Sequence, residues 1–219
     1  MAMHSMFKPL LLSLIALSSA IATPFAATAQ SADAWVIGPH IRGRNHSVGM
    51  PIHPTPSGAG WTFDFPYPHV GAGHVHYVTF NSRPLSGASR IVVRYRVDAP
   101  RGVRFVPREN PAMPATVSVY FQRRGDSWSG SRHQFHRWYA PVQTVRQLSP
   151  GTHEMTIRLS DPNWISVRGL PVSYSPDGFA AALAETESVG LVFGSTVARG
   201  HGVFATGPAR FSLISFRII

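Results

Sequence analysis

The chain has 219 residues, with 20 Lys and Arg against 10 Asp and Glu, a formal net charge of +10, and no cysteine. That length suits one domain with a substantial core, which can fold without covalent staples. The absence of cysteine excludes disulfide and thiol chemistry.

The chain opens "MAMHSMFKPLLLSLIALSSAIATPFAATAQ", with Lys8, an apolar stretch over residues 10–22, Pro24, and the small-residue step Ala27-Thr28-Ala29 before Gln30. This is the pattern of a secretory signal cleaved near Ala29, and it predicts a secreted or periplasmic protein. The apolar stretch is shorter than the roughly 20 residues that span a bilayer, so no membrane span is expected in the mature chain. Removing 29 of the 219 residues leaves 190, and it removes Lys8, the only lysine. The mature chain then carries nineteen arginines against ten carboxylates, formally +9. Guanidinium forks suit carboxylates, sulfates and phosphates, although a compositional exchange of Lys for Arg would give the same excess.

Residues 38–60, "GPHIRGRNHSVGMPIHPTPSGAG", are dense in Gly, Pro and His and lack periodicity. The expected organisation is therefore a signal over 1–29, an irregular segment over 30–60 and one β domain over 61–219. From Trp61 onward short alternating runs take over: "WTFDF", "HVHYVTF", "RIVVRYRVD", "VRFV", "ATVSVYFQ", "QFHRWYA", "HEMTIRL", "SVGLVFG" and "ARFSLISFRI". In the third run Ile91, Val93, Tyr95 and Val97 alternate with Arg90, Arg94, Arg96 and Asp98, so one face is core and the other carries arginines. Val117, Val119 and Phe121 alternate likewise with Ser118, Tyr120 and Gln122, and Met155, Ile157 and Leu159 mark a further inner face. "SVGLVFG" is apolar on both faces and reads as a central, covered strand. "SPDGFAAALAET" supplies the one helix, short, with Asp177 or Ser175 as its cap. Many short antiparallel strands and one short helix predict an all-β, two-sheet antiparallel β-sandwich of the jelly-roll kind.

The final third, "GTHEMTIRLSDPNWISVRG", "FAAALAETESVGLVFGS" and "GHGVFATGPARFSLISFRI", resembles the closing half of the galactose-binding-like β-sandwiches found in many carbohydrate-binding modules. The resemblance is architectural and covers roughly residues 92–219. It implies the sandwich and an exported, non-catalytic module that recognises a polysaccharide, acidic if the arginines take part.

The residues themselves point to the same chemistry in "YFQRRGDSWSGSRHQFHRWY". Two adjacent strands joined by a loop would bring Tyr120, Gln122, Trp128, Arg132, His136 and Trp138 together as a ligand-binding group. Trp and Tyr faces stack on sugar rings, while Arg, Gln and His take hydroxyls and carboxylates. The competing reading is that these rings are core, as Trp61 and Trp164 are expected to be. "GHVHYVTF" raises a metal alternative, since His74 and His76 share a strand face, yet only His53, His69 or His201 could complete the set and no HExxH is present. No cofactor is therefore expected; a calcium ion held by backbone carbonyls would leave no sequence signature.

Two further classes compete. "QFH", Gln134 to His136, resembles the Gln-x-His element of jelly-roll alginate lyases, which implies both side chains on one strand face; "REN" at Arg108 is a poor match to that family's other element, and its Tyr-Phe-Lys motif has no counterpart. An exported structural or interaction domain without a small ligand is the remaining alternative. Nucleic acid is not an expected partner, because the arginines are spread over many strands.

Overall fold

The structure is a computed structural model that describes Met1 and residues 30–219; the expected signal lies outside the described residues. In chain order the elements are β1 (Trp35–Gly38), β2 (His40–Ile41), β3 (Arg44–Asn45), β4 (Thr55–Ser57), β5 (Gly60–Asp64), β6 (Tyr77–Asn81), β7 (Arg90–Asp98), β8 (Phe105–Pro107), β9 (Thr116–Arg123), β10 (Arg137–Tyr139), β11 (Arg146–Gln147), β12 (Gly151–Arg158), β13 (Ile165–Ser166), α1 (Pro176–Ala184), β14 (Thr186–Gly194), β15 (Val203–Ala205) and β16 (Arg210–Ile218). The first sheet has the order β1-β6-β14-β9-β10-β13, with β11 also on β9; the second has the order β12-β7-β16-β5-β4. Their strand pairs are antiparallel. The chain is thus the all-β sandwich that its alternation predicts.

Alternation fixes which side chains meet between the sheets. Trp35, Val78, Phe80, Val119, Phe121, Leu191 and Phe193 come from the first sheet, and Trp61, Phe63, Val93, Tyr95, Phe211 and Phe216 from the second, all in one buried cluster. Rings interlock across the gap: Trp35 meets Trp61 edge-on at 5.0 Å and Phe216 at 5.4 Å, and Phe193 meets Phe63 at 5.7 Å and Phe211 at 5.4 Å. Edge-to-face pairs add roughly 0.5–1.5 kcal/mol each beyond the area they bury. Helix α1 caps one end, where Phe179 packs on Trp138 and Phe121. Ser175 stands at its N-cap position without a side-chain capping bond, and Pro176 begins the helix with a φ already suited to it.

The irregular segment expected over 30–60 is corrected. β1 pairs with β6 and β4 with β5, so this stretch supplies an edge strand to each sheet, and Trp35 and Ile37 are core. These strands have three or four residues, too few for a period to show between prolines and glycines.

β14 runs between β6 and β9 through the middle of the first sheet, with Gly190 opposite Thr79 on one side and Tyr120 on the other. A methyl group on Gly190 would fall against the Val78 carbonyl and the Thr79 Cα, which are backbone atoms with little freedom to move. Gly190→Ala should cost about 1–3 kcal/mol in urea unfolding, and an unchanged midpoint would contradict this register.

Candidate functional site

The outward face of the first sheet is also covered. Parity places Tyr77, Val192, Tyr120 and Tyr139 on it, and these four form a second small core with the half-buried Trp128, Ile165 and Val167. The covering comes from residues 124–136, which join β9 to β10, and from the stretch around β13. Burial pushes the phenols of Tyr77, Tyr120 and Tyr139 up, so all three stay protonated at neutral pH. The Tyr77 and Tyr139 hydroxyls share a hydrogen bond of 2.8 Å, and the Tyr120 hydroxyl donates to Gln122 Oε1 at 3.1 Å.

Asp126 holds this roof down. Its side chain is fully buried and sits 2.6 Å from Arg137 Nε. Its Oδ2 accepts from Gln122 Nε2 at 3.2 Å, and its Oδ1 accepts from the Trp128 backbone N–H at 2.8 Å. Trp128 has φ of 62°, a left-handed conformation that costs a bulky residue about 1–2 kcal/mol. The Arg137 guanidinium lies 4.8 Å from the Trp128 ring centroid, and Tyr77 meets the same indole edge-on at 5.2 Å. Burial opposes the Arg137 charge, yet its neighbours, the Asp126 carboxylate among them, raise its pKa.

Beside this network runs a cleft of about 230 Å³, lined by Tyr120, Gln122 and Trp128 together with Val36, Pro39, His40, Asn81 and Ser188. Enclosed small-molecule pockets occupy roughly 300–1,000 Å³, so this hollow has the size of a subsite on a longer polymer. It combines the rings of Trp128, Tyr120 and Phe80 with amide and hydroxyl groups that form hydrogen bonds.

Of the six residues expected to bind ligand, the structure brings Tyr120, Gln122 and Trp128 to the cleft. Trp138 is corrected: it pairs with Phe121, points inward and is fully buried, with its indole N–H donating to the Phe135 carbonyl. Because Arg137 pairs with Gln122 and Tyr139 with Tyr120, these two take the outward positions that Trp138 was expected to share. Arg132 is exposed in the loop and His136 stacks on His133 at 4.4 Å, and neither lines the cleft. Gln134 and His136 lie in a turn ahead of β10, so they do not share the strand face that a lyase-like pair implies. Asp126, which reads in sequence as an ordinary turn residue, is the organising group that sequence reasoning missed. Its signal is parity: the residues outward on β9 and β10 include Arg137, a cation that needs a buried partner.

His74 and His76 precede β6 and both are buried, with ring centroids 4.6 Å apart. His76 Nδ1 donates to the Gly200 carbonyl at 2.8 Å, which leaves Nε2 as an unprotonated nitrogen without a partner. Among the described residues no three His, Asp or Glu side chains gather as a metal set. Burial, then His74, then Arg108 hold the His76 pKa down at about 3, and burial followed by Arg108 lowers that of His74. A histidine whose pKa falls on folding contributes stability that is complete above its unfolded value near 6.5 and is lost as pH drops toward the folded value. Melting temperature should therefore fall from pH 6.5 to 4, with His76 contributing up to about 1.4 kcal/mol per pH unit. His76→Asn should flatten that slope; an unchanged slope would mean the imidazole is not held neutral.

No protein-family model and no curated protein matches the sequence. Solved structures similar to it include two carbohydrate-binding modules. One is described as a xylan-binding module CBM15, with 15% identity, 85% of this chain and 94% of that chain covered, and a TM-score of 0.39. The other is described as a non-crystalline cellulose specific carbohydrate-binding module, CBM28, with 13% identity, 85% and 87% covered, and a TM-score of 0.39.

Proposed function

We propose that this protein is an exported, non-catalytic carbohydrate-binding β-sandwich that takes a polysaccharide, neutral or acidic, across the outward face of its first sheet. The observation that supports it is the Trp128 indole, held half-exposed by Asp126 at the side of a cleft whose floor is Tyr120 and Gln122. A sugar ring offers an apolar face to an indole and equatorial hydroxyls to amides, and that pairing needs no movement of a preformed site. Recognition rather than turnover fits the cleft's chemistry: its phenol is protonated, its amide is neutral, and the nearby carboxylate is tied to Arg137. An acidic polymer fits the formal excess of positive charge, +10 over the whole chain.

Affinity electrophoresis tests the reading, with xylan and non-crystalline cellulose, the polymers named for the two similar modules, as neutral ligands and a polyuronate as the acidic one. Trp128→Ala should weaken retention by about tenfold, the equivalent of roughly 1.4 kcal/mol. Retention of the wild type by none of these polymers overturns carbohydrate binding, equal retention of wild type and Trp128→Ala moves the site elsewhere, and release of unsaturated ends overturns the non-catalytic assignment.

Asp126→Ala should unfold about 3–5 kcal/mol more easily, because it strands the buried Arg137 charge. Denaturant titration measures the loss, and a shift below about 1 kcal/mol would show that the pair does not organise the loop.

A further inference from the structure

The second sheet leaves its outward face uncovered, and the geometry points to that face as a separate site for a linear acidic polysaccharide. On β7 the outward positions are Arg90, Val92, Arg94, Arg96 and Asp98. Register fills the gaps from the neighbouring strand: Arg217 on β16 stands opposite Val92, and Arg210 opposite Asp98. A guanidinium therefore occurs at every outward step from Arg90 to Arg210, about 7 Å apart over roughly 27 Å of strand. All five side chains are exposed.

The charges are available to a ligand. Among the described residues no ion pair joins a carboxylate to Arg90, Arg94 or Arg217, although Glu154 on β12 stands in register opposite Arg94. Arg96 pairs with Asp98 and Arg210 with Asp64, but these four side chains are about half exposed, at 44–62%. Such surface pairs are worth roughly 0–1 kcal/mol, so a bound carboxylate can replace the partner at little cost.

The paired end of the row opens into a hollow of about 820 Å³ lined by Arg96, Arg210, Asp64, Asp98 and the exposed ring of Tyr67. Arginine forks alone would accept any polyanion. Tyr67 adds a stacking surface for a sugar ring, and Asp64 and Asp98 add acceptors for hydroxyl donors. A polyuronate carries carboxylates and hydroxyls on every unit and satisfies both. A phosphodiester chain brings charge with few donors and would meet the two aspartates unfavourably. This face is separate from the Trp128 cleft, which lies on the other sheet.

The experiment compares wild type with the double variant Arg94→Gln/Arg217→Gln, both exposed positions, in affinity gels containing polygalacturonate, xylan or single-stranded DNA. The double variant should lose about tenfold in polygalacturonate retention at low salt. Its retention by xylan should equal that of wild type, and wild-type retention by polygalacturonate should fall as salt rises from roughly 50 to 200 mM. Tyr67→Ala should also weaken polygalacturonate retention, by roughly threefold to tenfold. Unchanged polygalacturonate retention in the double variant overturns the site, and wild-type binding of DNA as tight as that of polygalacturonate overturns the assignment to an acidic sugar. Loss of xylan retention in Trp128→Ala but not in the arginine variant would keep the two sites distinct.

Discussion

The aromatic lock between the sheets sets the phase of every strand, and the outward chemistry follows from that phase. Once Trp35, Trp61, Phe193 and Phe211 interdigitate, a slip of one residue in any core strand would turn rings out and charges in. Phe121 and Trp138 must then face the core on β9 and β10, so Tyr120, Gln122, Arg137 and Tyr139 must face away from it. The candidate site is in this sense the complement of the core.

Placing a cation and three phenols on an outward face that loops cover creates a second requirement. Arg137 cannot sit beneath Trp128 without a counter-charge, and Asp126 supplies it from within the covering loop. The same carboxylate accepts the Trp128 N–H, so charge neutralisation and ring placement are one interaction. The left-handed backbone at Trp128 is sustained by that double use, as a costly conformation is when its surroundings over-determine it. A loop held this way presents its indole with little entropy left to lose on binding, which is where a rigid platform gains affinity over a flexible one.

The sandwich was legible because its long strands repeat their period often enough to be counted: β7, β9, β12, β14 and β16 each have eight or nine residues. The short strands from β1 to β4 were not, since two to four residues cannot establish a period. At the candidate site, Tyr120, Gln122 and Trp128 of the six expected side chains meet at the cleft, and Arg132, His136 and Trp138 do not. Trp138 and Tyr139 differ by one position and lie on opposite faces, and the facing residue on β9 depends on a register that the intervening loop does not fix. Likewise His74 and His76 are buried by segments distant in sequence, the Gly200 carbonyl among them, which their own pattern does not show. Each of these positions is decided by a partner segment.

The two sheets divide the chemistry that the composition shows only in bulk. The first sheet's outward face is roofed, so Arg137 there is buried, neutralised and used as a platform under a ring. The second sheet's outward face is open, so its arginines keep their solvation and can be numerous without paired acids, since like charges spaced about 7 Å apart in water repel weakly. Covering selects for aromatic and hydrogen-bonding contact, which is insensitive to salt; exposure selects for ionic contact, which is not. A single polymer carrying both sugar faces and carboxylates would meet the two faces by different forces, and the two attachments would respond differently to ionic strength.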